Sequence, residues 1–171
     1  MKYLTLFIGV LLTFFSCNSQ KVNVDYDRNF DFSQVRNYTL EVPSNLNDLD
    51  QARLVSAIEQ NLKYRGVLPS VDSNVRITIV PNEYVSSRTN SSVGVGLGTG
   101  GRGFGGGVSF GVPLTTKTLN LNYIVSMYYS NAMIWEGHLN IEMPINASAE
   151  VKQQSIEKGV YKLFKNYPPK K

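Results

Sequence analysis

Two runs of strict alternation in the C-terminal half limit what this chain can fold into more than any other feature. Leu119, Leu121, Tyr123, Val125, Met127 and Tyr129 alternate with Asn120, Asn122, Ser126 and others. After a turn at 130–132, Trp135, Gly137, Leu139, Ile141 and Met143 alternate with Glu136, His138, Asn140 and Glu142, and Pro144 stops the run. A period of two with one apolar side marks a strand with one face buried. The two runs therefore form a hairpin whose apolar side needs a cover.

Helices can supply that cover. Leu54, Ile58 and Leu62 recur at helical spacing beside Val55, residues 45–50 offer capping side chains, and Gly66 stands where a C-terminal cap belongs. Ile156, Val160, Leu163 and Phe164 form a second apolar stripe. Ser148 caps it and Tyr167, Pro168 and Pro169 end it. Further strands are read at Tyr38, Leu40 and Val42, and at Val75, Ile77 and Ile79 running toward Val85. The expected architecture is α+β: a mostly antiparallel sheet of about four to six strands with two helices on one face.

The N-terminus carries a different message. Lys2 precedes an apolar run from Leu4 to Phe15 that stops at Ser16 and Cys17. A positive start, a short apolar core and a small residue before the cleavage point mark a secretory signal. A dozen apolar residues fall short of the roughly 20 a membrane-spanning helix needs. Cys17 is the only cysteine, and its place at the end of an export signal identifies it as a lipid-attachment site. Residues 1–16 are thus expected to be a lipoprotein signal peptide, 17–23 a lipidated tether, and 24–171 a single domain. Asn18, rather than Asp, follows the cysteine. That choice points to the outer membrane, and the lack of an acidic cluster after Cys17 points to its periplasmic leaflet.

Charge excludes some partners. Cleavage after Ser16 removes Lys2 and lowers the net charge from +4 to +3, with none of the clustered basic stripe of a nucleic-acid binder. An acylated Cys17 leaves no thiol for a disulfide, so burial alone must hold the fold.

Ten of the fourteen glycines lie between Gly94 and Gly111, and this density discounts the motifs found there. Gly96, Gly98 and Gly101 match G-x-G-x-x-G, as do Gly98, Gly100 and Gly103, whereas a dinucleotide fingerprint needs one register between a strand and a helix. No phosphate-loop G-K-[ST] is present, so nucleotide binding is set aside. Gly107 to Gly111 match the G-x-S-x-G elbow around Ser109, but Val112, Pro113, Leu114 and Thr115 follow where a helix must begin. The only His is His138, and Glu136 is the only acid between it and Ser109. A hydrolase built on Ser109 is the alternative enzyme reading. Val93, Val95 and Leu97, then Val108, Phe110 and Val112, alternate with glycine and serine, so a glycine-rich hairpin over 93–112 is expected. It could meet an envelope protein partner, or associate with its like into fibres.

His138 takes an outward position with no second His or free Cys to complete a transition-metal site. Asp25, Asp27 and Asp31 lack the loop glycine and ligand series of a calcium site and are read as solvated or turn-capping carboxylates. Asn37, Asn90 and Asn146 match glycosylation acceptors that an exported bacterial lipoprotein does not use. No catalytic residue, metal or cofactor is expected.

The stretch from Val24 to Gln34, with its D-x-D-x-x-x-D-F pattern at Asp25, Asp27, Asp31 and Phe32, resembles the opening of Gram-negative lipoproteins grouped as domain of unknown function 4136. The order of a lipidated cysteine, this motif, a helix followed by glycine, a glycine-rich middle, a W-x-G strand (Trp135, Glu136, Gly137) and a final helix is similar throughout the mature chain. The resemblance implies an outer-membrane-anchored α+β domain without known catalytic residues. Function is expected to be that of a non-enzymatic envelope lipoprotein, a binding or structural module.

Overall fold

A computed structural model describes residues 19–42, 48–93 and 112–169. The expected signal segment 1–16, Cys17, the expected capping positions 45–47, Ser109 and the rest of the glycine-rich stretch 94–111 lie outside the described residues. Strands β1 (Ser19–Tyr26) and β2 (Asn37–Glu41) are followed by helix α1 (Asp48–Tyr64), then β3 (Leu68–Pro69), β4 (Val75–Val93), β5 (Val112–Tyr129), β6 (Ala132–Pro144) and helix α2 (Ala149–Leu163). The strands form one sheet in the order β1-β6-β5-β4-β2-β3.

The sheet is mixed, which corrects the expectation of a mostly antiparallel one. β1–β6, β6–β5 and β5–β4 pair antiparallel, but β2 runs parallel to both β4 and β3. The reason is the connection: α1 lies between β2 and the strands after it, and a helical crossover returns the chain in the direction it left. A second correction concerns residues 17–23. From Ser19 this segment is not a tether but edge strand β1, paired from Ser19↔Glu142 to Tyr26↔Trp135.

The β5–β6 turn contains Ser130 and Asn131, both with positive φ, 46° and 74°. Two such residues give the type I′ geometry whose twist matches the flanking strands. β4 and β5 remain paired as far as Val93↔Val112. β6 pairs with β5 only from Thr118 onward, so 87–93 and 112–117 form a ribbon of two strands.

One face of the sheet is the core. Ile77, Ile79, Leu121, Tyr123, Val125, Met127, Trp135, Leu139 and Ile141 are buried there with Leu54, Ile58 and Leu62 of α1 and Ile156, Val160 and Leu163 of α2. Trp135 stacks on Phe164 with ring centroids 5.3 Å apart and an interplanar angle of 12°, and Tyr167 meets both rings edge-on. α2 comes close to β6 at two glycines. A Cβ on Gly137 would lie 2.6 Å from Leu163 Cδ1 and 2.6 Å from Trp135 Cη2, and one on Gly159 would lie 2.9 Å from Leu139 Cδ1. Gly66, with φ +77°, ends α1 as expected; the Val67 amide donates back to the Leu62 carbonyl at 3.0 Å.

In the opening motif, Asp25 lies within β1 while Asp27 and Asp31 cap the turns that follow it. Asp25 Oδ1 accepts from the Tyr26 amide (2.9 Å), Asp27 Oδ1 from Asn29 (2.8 Å) and Asp31 Oδ1 from Ser33 (3.1 Å). These turns lay Tyr26 and Phe30 against Phe32, Phe30 against Tyr129, and Phe32 against Tyr167.

Candidate functional site

The face of the sheet opposite the helices is built by the polar half of the alternation. Register lines up its side chains in rows across four strands. One row runs Lys21, Asn140, Asn122, Asn82, and the next runs Asn23, His138, Ile124, Val80. Beyond the first row lie Glu142, Asn120 and Tyr84, and beyond the second Asp25, Glu136, Ser126 and Thr78. The two central rows line a shallow depression of about 420 Å³.

Two kinds of polar group meet there. The charged ones are tied to each other: Lys21 Nζ lies 3.3 Å from Glu142 Oε1 and His138 Nε2 lies 2.8 Å from Glu136 Oε1. Such exposed pairs add about 0–1 kcal/mol of stability. Their effect on the site is to engage Lys21, His138 and both glutamates with one another. The side-chain amides of Asn23, Asn82, Asn122 and Asn140, in contrast, have no hydrogen-bond partner among the described residues. Asn140 Oδ1 is buried without one, and an unmatched buried acceptor costs roughly 1–3 kcal/mol. Asn120 differs, since its amide donates to Ser86 Oγ at 2.8 Å.

Ser126 Oγ donates to Glu136 Oε2 at 3.1 Å, while the other oxygen of Glu136 meets His138. Sequence reasoning did not pick out Ser126, and the structure joins it to the Glu136 and His138 pair considered with Ser109. The order is wrong for acyl transfer. A nucleophilic serine must give its proton to the imidazole, with the carboxylate behind; here the carboxylate stands between them. The arrangement orients polar groups on the face rather than activating a hydroxyl.

Of the residues read from the sequence, His138 is exposed on this face as expected. Asp25 is exposed within β1, Asp27 and Asp31 cap turns, and no group of three or more potential metal-ligating side chains occurs among the described residues. The asparagines were missed. Their signal was present in the polar half of β5 and β6, which holds amides at positions where a merely solvated face carries lysine and glutamate. A buried group on the other side was missed as well: the carboxylate of Asp50 is hydrogen-bonded to Arg53 and lies 3.4 Å from Lys152 Nζ, joining the starts of α1 and α2.

Comparison with known proteins places this geometry. A family model described as "Domain of unknown function (DUF4136)" matches residues 22–169. No curated protein matches. Among solved structures, the chain is similar to a PDZ domain protein from Parabacteroides distasonis, with 12% identity and a TM-score of 0.52 over 90% of this chain and 37% of that one. It is also similar to the PelC dodecamer from Paraburkholderia phytofirmans, with 10% identity and a TM-score of 0.45 over 85% and 98%. The first likeness is one of fold, and this chain spans 37% of that protein's length.

Proposed function

The chain belongs to the DUF4136 family, and from that premise we propose that it is a cell-envelope lipoprotein, anchored by acyl chains on Cys17, that acts as a non-enzymatic binding module through the open face of its sheet. What carries the reading is the set of side-chain amides on that face with no partner in the fold, in a depression whose charges are already paired. Groups prepared for binding and not used by the fold are what a recognition surface offers. The Ser126–Glu136–His138 chain supports the non-enzymatic part, since its connectivity sets the carboxylate between the hydroxyl and the imidazole instead of behind the imidazole.

Anchoring rests on the export signal ending at Cys17. Ser19, two residues after Cys17, is already part of β1. The domain then sits close to the lipid surface, at the periplasmic side of the outer membrane. Several acyl chains at about 0.8 kcal/mol per buried methylene give stable attachment. The ribbon 87–93 and 112–117 carries the glycine-rich segment, which offers a second contact for an envelope protein. Mass spectrometry of the N-terminal peptide tests the anchor. Acylated Cys17 as the first residue is expected, with Cys17→Ala shifting the protein out of the membrane fraction; a retained residue 1–16 segment or a free thiol would refute it.

A further inference from the structure

We propose that the ligand of the open sheet face is a neutral oligosaccharide, lying across the strands over Asn140, Asn122 and Asn82. The inference rests on the reading of this face as a binding surface and names what it binds. Three features select the chemistry. Each unpartnered amide offers donors and an acceptor together, the combination that matches a hydroxyl, which also gives and takes. The neighbouring row is apolar beside Asn122 and Asn82, with Val80 55% exposed next to half-buried Ile124, and accepts the C–H face of a pyranose ring. Finally, Lys21 is paired with Glu142 and both oxygens of Glu136 are held by Ser126 and His138, so an ionic ligand would find no unengaged counter-charge in the centre.

Spacing adds direction. Adjacent strands lie about 4.8 Å apart, close to the length of one sugar unit in an extended chain. Successive units crossing the strands would each meet one asparagine of the row. Asn140 Oδ1, buried and without a donor, gains one from a sugar hydroxyl. An extended peptide is a poorer fit, because a peptide pairs through its backbone with a strand edge, whereas this face presents side chains only.

The test uses the isotopically labelled full chain in detergent micelles, following the asparagine side-chain amide resonances during titration with cellotetraose, chitotetraose and tetra-alanine. Millimolar cellotetraose or chitotetraose is expected to shift Asn82, Asn122 and Asn140 together, and Asn82→Ala with Asn122→Ala to weaken binding at least tenfold. Both positions are on a solvent-facing side, and an unchanged thermal unfolding midpoint checks that the double variant folds. No response to either sugar, a response to tetra-alanine alone, or sugar shifts that survive in the double variant would overturn the proposal. A protein cross-linked to this face in cells, with no sugar response in the titration, would leave the binding module standing and remove the saccharide.

Discussion

Trp135 and Gly137 show how a two-residue pattern is fixed by packing. Both point to the core side of β6, and the indole reaches over the space a Cβ on Gly137 would fill, 2.6 Å from Trp135 Cη2. The ring is held by its stack on Phe164 and cannot move aside cheaply. Gly137→Ala is therefore expected to cost about 1–3 kcal/mol by overpacking, read as a lower urea midpoint. Gly159→Ala makes a useful contrast. Its new methyl meets the chain ends of buried Leu139 at 2.9 Å and Ile141 at 3.2 Å, while alanine gains about 0.5–1 kcal/mol over glycine within a helix, so the two effects offset and a net change below about 1 kcal/mol is expected. The tyrosines allow a pH prediction at the same scale. Desolvation by burial, with Glu59 adding to it, raises Tyr38 from 10.0 to about 12, and burial also raises Tyr123 and Tyr167. A phenol whose folded pKa lies above its unfolded value contributes stability that is complete below pH 10 and fades as pH rises above it. Absorbance of tyrosinate should thus show these three ionising only with alkaline unfolding.

Among the elements, those carrying their own periodicity were readable and those defined by a neighbour were not. β5, β6 and both helices follow from apolar spacing within each segment. β1 does not, because Ser19 to Tyr26 has a mostly exposed edge and becomes a strand only through pairing with β6. The parallel pairing of β2 was implied by the helix that follows it, a consequence of chain direction rather than of any residue in β2. Helix starts give two measurable contributions. The Ser148 hydroxyl accepts from the Val151 amide at 3.3 Å, and Ser148→Ala is expected to cost about 1 kcal/mol. Asp50 holds cations from both helices in a buried position. Asp50→Ala is expected to cost about 2–3 kcal/mol, below the full value for a buried pair because Arg53 and Lys152 remain partly solvated. Denaturant unfolding of both variants checks the order.

At the scale of the molecule the sheet divides two tasks between its faces. One face, with two helices, holds the fold together; the other carries amides that the fold does not use. The first was legible in the sequence as alternation. The second was legible only as polarity, because which asparagines share a row depends on register across β1, β6, β5 and β4, and register is a tertiary property. The account stands on the open face being the working surface, and photo-cross-linking in intact cells tests that most directly. Benzoylphenylalanine in place of Tyr84, exposed on the open face, and separately in place of Tyr161, exposed on α2, gives two equivalent probes on opposite sides of the domain. An adduct from position 84 and none from 161 is the predicted result, and adducts from 161 alone, or from neither, would contradict it.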